Sequence, residues 1–131
     1  MKHNELTSSI IGIFYNIYNE LGYGFLEKVY HNAFVIALRE AGFNVESNKK
    51  IEVHFRNQIV GEYYADLVVN ETVIIELKSV EYLTEAHENQ ILHYLRSTEM
   101  ELGLLFNFGS KPEFKRKIYD NHRKLNLKKK K

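Results

Sequence analysis

The stretch Val73-Ile74-Ile75-Glu76-Leu77-Lys78 decides how this chain is read. Its run of β-branched residues predicts a strand covered on both faces, as at the centre of a sheet. Yet the strand carries two charges. Successive side chains on a strand alternate in direction, so Glu76 and Lys78 share a face with Ile74. An ionised group in apolar surroundings is costly unless it is paired or holds a metal. A solvated pair at the strand's exposed end would fit the spacing too, but the apolar Ile74 on that face argues against it.

A second charge in an apolar run lies just upstream. Tyr64-Ala65-Asp66-Leu67-Val68-Val69 reads as the neighbouring strand, with Asn70-Glu71 marking the turn between the two. Register decides whether Asp66 meets Glu76. A two-residue turn pairs Ala65 with Glu76. A three-residue turn, or a bulge, pairs Asp66 with Glu76 and puts both carboxylates on one face. Two carboxylates at close quarters repel unless a divalent cation lies between them, and hard oxygen ligands suit Mg²⁺ or Mn²⁺. The odd-length turn or bulge is therefore the expectation, and carboxylates on opposite faces would rule the metal site out.

Working outward, Val45 to Phe55 alternates Ile51, Val53 and Phe55 with Lys50, Glu52 and His54, which predicts an antiparallel strand with one wetter face. Ile59 to Val69 and Thr72 to Val80 complete a three-strand meander. Two helices precede it. Leu6, Ile10, Ile13, Phe14, Ile17 and Leu21 recur at helical spacing up to Gly22, and a second apolar stripe runs from about Phe25 to Ala41. After the meander, Thr84 is a candidate N-cap for a helix from Glu85 to Met100, with Ala86, Ile91, Leu92 and Leu95 inward. Gly103 to Phe108 is a further strand, and Phe114 to Tyr119 a final edge strand. The order α-α-β-β-β-α-β-β predicts an α/β fold, a mixed sheet flanked by helices.

Composition sets the frame. The chain has 131 residues, 44% of them hydrophobic and 27% charged, and no cysteine. One domain over residues 1–120 is expected, with a core of its own. Disulfide scaffolds, zinc–cysteine sites and thiol nucleophiles are excluded. Neither a secretory signal nor a run of ~20 apolar residues is visible, so the expectation is a cytoplasmic protein that does not cross a membrane. The net charge of +1 conceals an asymmetry. Residues 111–131 carry ten basic and two acidic residues, whereas residues 1–110 carry eight basic and fifteen acidic ones. A basic tail over 121–131, together with Lys115, Arg116 and Lys117, suggests contact with an anionic partner, nucleic acid first. A merely solvated tail would have the same composition.

Asp66-x9-Glu76-x-Lys78 resembles the signature of the PD-(D/E)XK nuclease superfamily. Gly24-Phe25-Leu26-Glu27-Lys28-Val29-Tyr30 resembles the motif that names its GxxExxY branch. The likeness continues through Ala65-Asp66-Leu67-Val68-Val69, Ile75-Glu76-Leu77-Lys78, Gln90-x3-Tyr94-Leu95 and Gly103 to Gly109, and spans roughly residues 5–119. Alanine stands at position 65, where the superfamily often has proline. The resemblance implies a restriction-endonuclease-like sheet and a Mg²⁺- or Mn²⁺-dependent nuclease acting on nucleic acid, DNA ahead of RNA. It implies that Asp66 and Glu76 hold metal and that Lys78 orients the attacking water or stabilises the phosphoryl charge. Glu27 would add a further acid to the metal site, while Gln90 and Tyr94 would support the site and contact the substrate strand.

From the residues themselves, Glu27 could equally be an acid favoured by a helix N-terminus. Tyr30, a candidate support residue, fits packing better than chemistry. A nucleic-acid-binding module that keeps the fold without cutting, and an interaction subunit or homodimer built on the nine tyrosines and eight phenylalanines, are the rival functions.

Overall fold

The computed structural model describes residues 3–124. Helices α1 (Asn4–Leu21) and α2 (Glu27–Glu40) lead into strands β1 (Val45–Phe55), β2 (Gln58–Val69) and β3 (Val73–Lys78). Helix α3 (Glu85–Arg96) then crosses to β4 (Leu102–Phe108), and β5 (Pro112–Ile118) folds back beside it. The five strands lie in sequence order. All neighbours are antiparallel except β3 and β4, which are parallel because α3 carries the chain back to the starting edge.

Each helix is where its apolar stripe must be buried. Ile10, Phe14 and Ile17 of α1, with Tyr30, Phe34 and Leu38 of α2, pack on Leu67, Ile75, Leu77, Leu104 and Phe106 on one face of the sheet. Ile91 and Leu95 of α3 cover Val68, Ile74 and Leu105 on the other. Strand β3 is thus buried from both sides along Val73 to Leu77, as its unbroken apolar run requires. The link between α1 and α2 turns at Gly22, whose φ of 69° closes the first helix in a conformation other residues adopt only with strain.

Several boundaries differ from the sequence reading, each for a local reason. Helix α3 ends at Arg96 rather than Met100, because the Thr98 hydroxyl donates to the Tyr94 carbonyl and accepts from the Met100 N–H, drawing the backbone out of the helix. Ala86, expected inward, is exposed in the first turn of α3. Strand β3 stops at Lys78 because the Val80 backbone is taken by a side chain. Asn107, fully buried, accepts from the Val80 N–H at 3.0 Å and donates to the Val80 carbonyl at 2.9 Å. Strand β5 starts at Pro112, an edge position where no ladder donor is needed. Beyond β5 the chain is tied down as far as Lys124. Asn121 donates to Glu101 and to the Glu99 carbonyl, and Lys124 donates to the carbonyls of Thr98 and Met100. The lysines at 128–131 lie outside the described residues.

Gly109 follows β4 where the chain passes under the β3–α3 link. A Cβ there would run into the Val80 carbonyl oxygen and lie 3.0 Å from Asn107 Nδ2. A Gly109→Ala variant is expected to lose about 2–3 kcal/mol of stability, read as a lowered urea midpoint. An unchanged midpoint would show that this crossing is looser than its geometry implies.

Candidate active site

The register between β2 and β3 decides the site. Leu67 pairs with Ile75, Val68 with Ile74 and Val69 with Val73. The connection is therefore three residues long (Asn70, Glu71 and Thr72), with Asn70 and Glu71 both at φ 52°. This is the odd-length turn that the paired charges called for, and it sets Asp66 opposite Glu76. The strand pairing ends at Leu67 and Ile75. Beyond it, each carboxylate takes a backbone N–H from the opposite strand. The Asp66 N–H donates to Glu76 Oε2 at 2.8 Å, and the Leu77 N–H donates to Asp66 Oδ2 at 2.7 Å. The fork between the strands is held open and satisfied by the two acids.

The site is electrostatically loaded. Glu76 is only 4% exposed. Burial, and then the Asp66 charge facing it, push its carboxyl up to about 8. The Lys78 charge and the hydrogen bond from Asp66 oppose that rise without reversing it. Two inward oxygen donors, one of them kept from ionising by burial and its neighbour, form a donor set that fits a hard divalent cation. Lys78, half-buried at the end of β3, pairs across the sheet with Asn107. Asn107 also donates to Glu113, so one buried amide ties β4, β5 and the β3–α3 link together behind Lys78. The sequence reading missed Asn107; its place inside an apolar strand was the available signal.

Helix α3 supplies the second wall. Gln90 Nε2 donates to Tyr94 Oη at 3.0 Å. Burial raises the Tyr94 phenol to about 12, and the charges of Glu76 and Asp66 add to the rise. Tyr94 thus lies within electrostatic reach of the acidic pair, with Gln90 bound to its hydroxyl. His87, half-buried, completes a reciprocal cap with Thr84 and has no part in the site.

Other candidates are placed differently. Glu27 opens α2 and is exposed. It lines a cleft with Asp66 and Leu77, and its charge reaches Glu76 only weakly. Among the described residues no three His, Cys, Asp or Glu side chains lie close enough to hold one metal ion. Glu27 is not gathered into one such group with Asp66 and Glu76, because the first turn of α2 sits at the cleft mouth. Ser79 fixes that mouth by donating to the Phe25 carbonyl. Tyr30 is fully buried, stacked on Phe108 at 4.1 Å, with its hydroxyl donating to the Gly22 carbonyl. It shapes the loop before Glu27 and does not reach the cleft. Lys115, Arg116 and Lys117 do not form one patch. Strand alternation turns Arg116 to the α1 side, in the row of Leu104, while Lys117 is engaged by Glu88 of α3.

The PD-(D/E)XK nuclease superfamily matches this chain over residues 4–117. The chain belongs to that superfamily. Its members act on nucleic acids and typically use divalent metals. Among solved structures, SSO0001 is similar at 18% identity with a TM-score of 0.58, over 71% of this chain and 50% of that one. The chain thus spans half the length of SSO0001, and at this identity the likeness is one of fold. An alkaline exonuclease from Laribacter hongkongensis gives a TM-score of 0.46 at 14% identity, covering 94% of this chain and 74% of its own. No curated protein matches the sequence. Among the described residues of this nuclease-family chain, no helix is long and apolar enough to cross a membrane.

Proposed function

We propose that this superfamily member is a Mg²⁺- or Mn²⁺-dependent nuclease that hydrolyses phosphodiester bonds, with DNA ahead of RNA as substrate, and that it lies in the GxxExxY branch. The observation that carries the proposal is the facing pair Asp66 and Glu76 at the open end of the β2–β3 fork, with Lys78 two residues along the same strand. A nuclease needs a cation held at the scissile phosphate, a positioned water and a charge to receive the developing phosphoryl anion. Asp66 and Glu76 would hold the cation through their inward oxygens. A bound divalent ion would lower the pKa of its water and neutralise phosphoryl charge. Lys78 would hold a hydrogen bond and a fixed positive charge on the attacking water or a non-bridging oxygen. Gln90 orients the Tyr94 hydroxyl, which would meet the substrate strand beside the carboxylates. Glu27 would add negative charge at the mouth without ligating.

Labelled single- and double-stranded DNA and RNA should be cut when Mg²⁺ or Mn²⁺ is present, and cutting should stop in EDTA. Failure to cut any of the four with either ion would overturn the enzyme reading in favour of a non-cleaving binding module.

A further inference from the structure

Helix α3 and the β1–β2 hairpin enclose a groove of about 910 Å³ on the face that carries Tyr94. Its lining includes three tyrosines (Tyr63, Tyr94 and Tyr119), two arginines (Arg96 and Arg123) and His93, and among the described residues no aspartate or glutamate. That selection is unusual on a body in which acids outnumber bases fifteen to eight over residues 1–110. Tyr94 is buried at 5% exposure and Tyr119 is half-buried, so Tyr63 is the ring this groove presents. Tyr63 is 51% exposed, and its ring centroid lies 6.0 Å from that of Tyr94. At the other end, the guanidinium of Arg123 sits 4.3 Å over the Tyr119 ring and that of Arg96 sits 5.8 Å from it.

The Arg123 end is held in place. The short turn Asn121–Arg123 is tied down by Asn121 and by Lys124, whose ammonium donates to two backbone carbonyls at 2.7 Å each. The opposite end carries Tyr63 and Tyr94, whose rings meet across the gap between β2 and α3. An exposed aromatic face in line with two guanidinium groups, whose planes also stack on bases, is the chemistry that takes a polyanion of flat rings. A duplex keeps its bases stacked inside, so side chains can stack only on unpaired bases.

We infer that this groove seats a single-stranded segment of nucleic acid, with a base stacked on Tyr63 and the phosphates or further bases on the guanidinium groups of Arg96 and Arg123. The substrate class is then an unpaired strand or strand end rather than an intact duplex. The inference rests on the nuclease reading for nucleic acid as the ligand, but its test does not require turnover.

Fluorescence anisotropy in EDTA, with labelled oligo(dT), oligo(U) and a DNA duplex of equal length, reads binding without cleavage. The wild type is expected to bind the single strands at least tenfold more tightly than the duplex. Tyr63→Ala and Arg123→Ala should each weaken single-strand binding roughly tenfold, and Tyr63→Trp should retain it because stacking is retained. Equal affinity for duplex and single strand, or wild-type affinity in both alanine variants, would overturn the groove assignment. Were Tyr63→Ala to unfold, Arg123→Ala and Tyr63→Trp would still decide it. Single-strand binding without cleavage on any substrate would sink the enzyme reading and leave the groove standing; cleavage with indifferent groove variants would do the reverse.

Discussion

A Glu76→Gln variant is expected to lose at least three orders of magnitude of divalent-dependent cleavage and, in EDTA at pH 8, to melt at a higher temperature than the wild type. Both effects have one cause. Burial and the facing Asp66 raise the Glu76 carboxyl from 4.5 to about 8. The folded, metal-free protein therefore keeps a proton that the unfolded chain gives up. Its stability is full below about pH 4.5 and falls as pH rises towards about 8, with a slope approaching about 1.4 kcal/mol per pH unit inside that window. Above it both states are ionised and the slope vanishes. Glutamine has the same shape, cannot ionise, and can donate its amide to Asp66 where the carboxylate repelled it. The difference in melting temperature between variant and wild type should widen from pH 5 to pH 8, each kcal/mol being worth roughly 4 °C in a chain of this size. Adding Mg²⁺ or Mn²⁺ should raise the wild-type melting temperature and leave the variant unmoved. A variant that melts below the wild type at pH 8 in EDTA would show that the acidic pair is not under strain.

Such opposition between function and stability also explains how much of this protein was legible in its sequence. Apolar periodicity placed every helix and strand because each element buries a single stripe or face, and period 3.6 changes visibly to period 2 after Gly42. The register at the site was legible for a different reason. Two charges inside apolar strands make sense only if they meet, and meeting demanded the three-residue turn at Asn70, Glu71 and Thr72. What escaped was whatever depends on side chains reaching across sequence. Asn107 claims the backbone of Val80 from 27 residues away. Lys124 holds the turn after β5 by bonding to Thr98 and Met100. Neither contact leaves a periodic trace. The motif placed Glu27 on the correct helix, and the helix start sets it at the cleft mouth with Asp66. Lys115, Arg116 and Lys117 show the limit of reading charge runs, because a strand divides consecutive residues between two faces.

Lys78→Ala is expected to reduce kcat by about 10²–10³-fold while leaving the melting temperature rise on adding Mg²⁺ or Mn²⁺ in place. The residue sits where β3 ends, half-buried, beyond the core that Val73 to Leu77 builds. Its removal creates no buried cavity and should change stability by less than about 1 kcal/mol. It does remove a positive charge that favours ionised Glu76, so the metal-free variant should move, if at all, towards lower stability at pH 8, opposite in sign to Glu76→Gln. That contrast separates two roles that a single loss of activity would blur. A carboxylate that holds the cation should abolish both cleavage and metal-induced stabilisation. A lysine that holds water or phosphoryl charge should abolish cleavage alone. Lys78→Arg is not expected to restore the rate, because a planar, bulkier fork at the end of a fixed strand cannot place a point charge where the ammonium stood. If Lys78→Ala cuts at the wild-type rate, the ammonium has no part in the chemistry, and Asp66 and Glu76 alone must account for it.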